Sequence, residues 1–211
     1  MRKILLYMLV GLLIEIPVAF AQDTEYNAAL DSANSVHEAL LERISVLKIF
    51  SYDKKTFMPI GKEQMHEALK VLPQERIDFF NPVVEGLSDA TAYLFNKDDG
   101  ALIIILVVMQ FADDESANSF LTAEKEVMRA KDKVFEEYIK KIAYEDMAIT
   151  KDEQAFISRK LVVKEAQNQL VTVIMSARKK YLIECNFLHG EYSNEELKNT
   201  ILGLWKILSN N

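Results

Sequence analysis

The chain is poor in the residues that staple or punctuate a fold. Its 211 residues include one cysteine, six glycines and four prolines. A single thiol excludes a disulfide framework within the chain and a zinc ribbon, since both use cysteines in pairs. So little Gly and Pro excludes collagen-like and low-complexity chains. Positive charge is also short, with 25 Lys+Arg against 32 Asp+Glu and a formal net charge of −7. That balance argues against nucleic acid as a partner, because phosphate contacts need clustered Lys and Arg. What is abundant is apolar surface: 50% of residues are hydrophobic and 27% charged, which excludes a disordered chain and indicates a globular one.

Part of that apolar content reads as an address. Residues 1–21 are MRKILLYMLVGLLIEIPVAFA, with Arg2 and Lys3 ahead of an apolar run from Ile4 to Ile14. Pro17 breaks the run, and Ala19 and Ala21 are small residues where a signal peptidase reads them. The run before Glu15 is too short to span ~30 Å of hydrocarbon at ~1.5 Å per residue. The expectation is a signal peptide over 1–21, cleavage before Gln22, and an exported, periplasmic or secreted product that is not an integral membrane protein. Two cations and one anion leave with the leader, so residues 22–211 carry −8. No Asn-x-Ser/Thr sequon and no cysteine near the cleavage point occur, so neither glycosylation nor lipid attachment there is expected.

Residues 22–211 read as a single α+β domain. Its first part, 22–72, is expected to be helical. Leu30, Ala33, His37, Leu40, Ile44 and Leu47 form one stripe over a long helix from Thr24 to about Phe50. A shorter helix follows at 61–71, and 74–90 give mixed signals. The strongest strand signal is Ala101–Phe111, ALIIILVVMQF, which pairs with Thr91–Phe95 across Asn96–Gly100 as a hairpin. So apolar a strand belongs at the centre of a sheet, buried on both faces. Asp113 or Asp114 then caps a helix to about Ala130, and 131–144 read as a further helical stretch. Near 150–166, a Thr150…Glu153 capping box favours helix and Leu161–Val163 favours strand; strand is preferred from 158. Leu170–Met175 and Lys180–Leu188 form a second hairpin around residues 176–179. Ser193-Asn194-Glu195-Glu196 is a capping box opening a final helix.

The units 91–130 and 158–208 share one order: strand, turn, strand, acidic loop, helix. Phe111 and Ser116 match Leu188 and Ser193, each 77 positions on. The fold class is therefore an antiparallel sheet of five or six strands built from two hairpin–helix units, with structural duplication as one explanation. Both following helices are expected on one face and the long N-terminal helix on the other or at an edge. This architecture is similar to α/β sandwiches such as those of the PsbP-like proteins, with no residue motif behind the likeness.

Chemical motifs are scarce. His37-Glu38 and His66-Glu67 begin like a zincin helix, but positions 41 and 70 hold Leu and Lys where the second imidazole belongs. His189-Gly190-Glu191 lies in a loop and is explained by a turn. Asn96–Gly100 fails as a calcium loop because Phe95 stands where an acidic ligand is needed. Cys185 alternates with Tyr181, Ile183 and Phe187, which makes it a core residue rather than a nucleophile. No nucleophile elbow, phosphate loop or Cys-x-x-Cys occurs. The reading is an exported non-enzymatic protein that binds another protein or an envelope component, with no catalytic residue, metal or cofactor assigned. The alternatives are a module for a small apolar ligand and, behind it, a hydrolase with a site near His189.

Overall fold

The computed structural model describes residues 37–44, 52–97, 102–164, 167–188 and 190–209. In chain order these are helix α1 (37–44), β1 (Lys54–Pro59), α2 (Lys62–Leu69), α3 (Gln74–Glu85), β2 (Leu87–Asn96), β3 (Leu102–Phe111) and α4 (Asp114–Val134). A 3-10 turn (Glu136–Tyr138), β4 (Ile139–Ala148), β5 (Gln154–Lys164), β6 (Gln167–Arg178), β7 (Tyr181–Phe187) and α5 (Asn194–Ser209) complete them. All strands join one seven-stranded antiparallel sheet in the order β1-β2-β3-β7-β6-β5-β4.

β3 is the central strand, as its composition requires. Ile104 to Met109 are all buried. Their alternation feeds two cores. Ile105, Val107, Met109 and Phe111 pack with Met65 and Leu69 of α2, Phe80 of α3, and Phe120 and Val127 of α4. Ile104, Leu106 and Val108 pack with Leu40 and Ile44 of α1 and with Leu197, Ile201 and Trp205 of α5. A strand covered on both faces has no polar side to offer, which is why it reads as a continuous apolar run.

Several sequence expectations change here. The helices after the two hairpins, α4 and α5, cover opposite faces rather than one. A two-fold copy that swaps antiparallel β3 and β7 would keep both helices on one face, so their placement does not follow from a simple duplication. The N-terminal part is not all helical: Lys54–Pro59 is edge strand β1, too short and too charged to show a period. Of the long helix, 37–44 is helical and the rest lies outside the described residues. Residues 74–90 resolve into α3 and the start of β2. Pro82 sits inside α3, where it denies the Asp78 carbonyl its usual donor. The stretch 131–144 is not one helix: α4 stops at Val134 and β4 begins at Ile139. β4 escaped notice because its apolar residues do not alternate along the strand and most of it is exposed. At 150–153 there is a tight turn, closed by the Ile149 and Thr150 amides donating to the Glu153 carbonyl at 2.9 and 3.2 Å. Strand β5 then starts at Gln154, earlier than expected. The last hairpin turns in two residues, with Lys179 at φ 50°.

The caps are as read. Asp113 Oδ1 accepts from the Ser116 amide at 2.8 Å. The Ser193 amide donates to Glu196 Oε2 at 2.8 Å, and the Glu196 amide donates to Ser193 Oγ at 3.3 Å. No helix among the described residues is long and apolar enough to cross a membrane.

Candidate functional site

Among the described residues, two places concentrate polar chemistry, one on each face of the sheet. The first is open. The α5 core takes Ala155, Ile157 and Ile174 from β5 and β6 and stops there. Beyond it the same face continues as Ala143–Arg159–Thr172–Phe187 and Lys141–Leu161–Leu170, side by side in register across β4 to β7. Loop residues Glu191 and Tyr192 wall this area into a cleft of about 270 Å³. The Tyr192 ring packs on Phe187 with centroids 4.3 Å apart. Arg159 is anchored: it pairs with Glu145 and donates to Asn194 Oδ1 at 2.5 Å. Thr172 is fully buried, and its Oγ1 has no hydrogen-bond partner. A buried hydroxyl normally finds one, so this is unmet bonding capacity beside an open cleft.

The second place is closed. Under α4, Glu124 and Glu184 are each 1% exposed. Burial raises the Glu124 carboxyl well above the usual carboxylate range, and the negative charge of Glu184 raises it further. Burial also raises Glu184, against the Asn186 side-chain amide that donates to Glu184 Oε1 at 2.8 Å. Next to them Lys160 Nζ pairs with Asp132, whose other oxygen accepts from Tyr144 Oη at 2.6 Å. Burial pushes the Lys160 ammonium below its ordinary value, and Asp132 pulls it back. Glu124 Oε1, Glu184 Oε2, Asn186 Oδ1 and Ser158 Oγ have no partner. Buried titratable groups of this kind mark functional sites in some proteins and structural networks in others. Here they are sealed between helix and sheet.

Sequence reasoning missed both places. The closed one did leave a signal: Glu124 lies four residues from both Phe120 and Met128 on the apolar stripe of α4. Glu184 likewise interrupts β7, a strand otherwise buried on both faces, and Lys160 stands on the buried face of β5. The open cleft left none, because its members come from three strands and a loop and meet only through register.

Among the described residues, those singled out from sequence do not converge. His37 Nδ1 lies 3.1 Å from Tyr93 Oη, and its ring is 5.6 Å from Phe57, at the margin of the α5 core. His66 bridges Asn81 Oδ1 and Glu85 Oε1, both at 3.0 Å, tying α2 to α3. His189 lies outside the described residues, as does most of the 96–100 turn; Glu191 is exposed at the cleft. Among the described residues, no three His, Cys, Asp or Glu side chains are placed to hold a metal. Cys185 is fully buried, and burial raises its thiol far above the reactive range. Native protein is therefore expected to resist an aromatic disulfide reagent, while protein in denaturant reacts with one equivalent. Fast native labelling would mean the core opens at β7.

No protein-family model matches the sequence, and no curated protein matches it. Among solved structures, the chain is similar to the extracellular domain of PknH from Mycobacterium tuberculosis. The identity is 10% and the TM-score 0.46, over 82% of this chain and 94% of that one.

Proposed function

We propose that this is an exported, non-enzymatic binding domain that engages a protein or envelope component at the cleft over β4 to β6. Export rests on the leader pattern of residues 1–21. The observation that carries the site is the buried, unpartnered Thr172 hydroxyl on the cleft floor, beside the fixed Arg159 guanidinium and the Tyr192 ring. Such a floor suits a partner that brings hydrogen-bonding groups and a flat apolar surface together. It suits a purely apolar small ligand less well, because Lys141 and Arg159 line it.

The mature chain, immobilised and exposed to the envelope fraction of its native cells, is expected to retain a defined component. Tyr192→Ala is expected to weaken that retention by roughly tenfold or more, the effect of losing an aromatic anchor at an interface. Thr172→Val should weaken it less. Equal retention by wild type and Tyr192→Ala rejects the cleft. Recovery of uncleaved protein from the cytoplasm, rather than a chain starting at Gln22, rejects export.

A further inference from the structure

The cleft over β4 to β6 is lined by two opposite charges held on different elements. Lys141 stands on edge strand β4, and Glu191 in the loop after β7. Both residues are exposed. Among the described residues, neither has a hydrogen-bond or ion-pair partner. The other charges nearby are engaged. Glu145 pairs with Arg159, and Lys140 donates to Asn168 Oδ1 at 3.3 Å. Arg159 also donates to the Tyr192 carbonyl at 3.5 Å and to Asn194 Oδ1 at 2.5 Å, so it holds the loop in place. Gly190 turns the chain into that loop at φ 94°, a conformation that favours glycine. The wall carrying Glu191 and Tyr192 is thereby preorganised, which lowers the ordering cost of binding.

We propose that the cleft binds a free α-amino acid or a short peptide with an apolar side chain, its carboxylate at Lys141 and its ammonium at Glu191. Each lining group asks for one part of such a ligand. The unengaged cation asks for an anion, and the unengaged anion for a cation. The buried Thr172 hydroxyl, without a partner, asks for a hydrogen bond. Leu161, Leu170 and the Tyr192 ring offer apolar surface for the side chain. Size fits as well. The cleft measures about 270 Å³, just under the ~300–1,000 Å³ of pockets that take drug-sized molecules.

Ligands of one sign suit the cleft less. A phosphate meets the repulsion of Glu191, and the charge of Arg159 is already answered by Glu145. A simple cation meets Lys141 in the same way. Only a molecule carrying both signs leaves no charge at the cleft unanswered. This rests on the cleft being the binding site, and it narrows the envelope component to one with free peptide ends.

Calorimetric titration of the mature chain tests this. The probes are L-leucine, L-phenylalanine, their di- and tripeptides, and the same compounds capped at either end. At least one uncapped probe is expected to bind saturably, with a Kd of about 1 mM or tighter. The length that binds best separates an amino acid from a peptide. Amidation removes the carboxylate and N-acetylation the ammonium; each is expected to weaken binding roughly three- to tenfold, the range for an exposed ion pair. Lys141→Met should weaken uncapped and acetylated probes and leave amidated ones unchanged. Glu191→Gln should weaken uncapped and amidated probes and leave acetylated ones unchanged. Such non-additivity between a cap and its matching substitution identifies the contact. Lys141→Arg should keep the binding, and circular dichroism confirms that each variant is folded. No saturable binding by any probe up to about 10 mM overturns the proposal. So do caps whose effects are the same in wild type and in both variants. Should Tyr192→Ala lose envelope retention while no probe binds, the cleft stands as the site and this ligand class is rejected.

Discussion

Replacing Asp132 by Ala is expected to cost about 3–5 kcal/mol of folding stability, the range for breaking a buried ion pair from one side. Asp132 is the counter-ion of Lys160, whose side chain is 5% exposed, and it also accepts from Tyr144 Oη. Without it, an ammonium is stranded between α4 and β5 with nothing to replace its hydration. Asp132→Asn should cost less, since an oxygen remains for Tyr144. The double variant Asp132→Asn/Lys160→Met should recover much of what Asp132→Asn loses, because no buried charge is then left over. Urea unfolding with an unchanged m-value gives the comparison directly. A loss below about 1 kcal/mol for Asp132→Ala would show that water reaches Lys160.

Glu124→Gln is expected to stabilise the protein, and the gain should grow with pH. Burial and the neighbouring Glu184 raise the folded-state Glu124 carboxyl, so the native state keeps its proton where the unfolded state has lost it. Below the ordinary carboxyl value both states are protonated, and the group leaves stability unchanged with pH. Above that value the unfolded state ionises first, and wild-type stability falls as pH rises toward the raised value. The slope is at most about 1.4 kcal/mol per pH unit for one proton. Glu184 shifts in the same direction and adds to the fall. Gln has the shape of Glu and no proton to lose, so its own curve should be flatter. Chemical unfolding at pH 5 and pH 8 checks this; a difference between the two proteins that does not change with pH would refute it. Glu124→Met, which also removes the unpartnered Oε1, should be at least as stable as Glu124→Gln at pH 8.

Both effects come from residues that look ordinary in a list. Glu124 and Asp132 are two acids in a helix rich in charge, and Lys160 is one lysine among many. Their weight comes from being placed under that helix. Periodicity did mark Glu124 as standing on an apolar stripe, but a stripe does not say how deeply it is covered.

The sequence by itself settled the features that depend on neighbours along the chain. The apolar run at 101–111 had to be a central strand, because only a strand covered on both sides can bury it. Asp113 or Asp114 and the Ser193–Glu196 box read as helix starts, because their oxygens are placed to satisfy amides within the next turn. The alternation around Cys185 put that thiol in a core. The tertiary structure decided what depends on partners far apart. It set β4 as an edge strand, since an exposed edge has no hydrophobic period to announce it. It sent α4 and α5 to opposite faces, which local propensity does not encode. It brought Arg159, Thr172 and Tyr192 to one cleft through strand register and a loop, a meeting that depends on where the whole sheet folds.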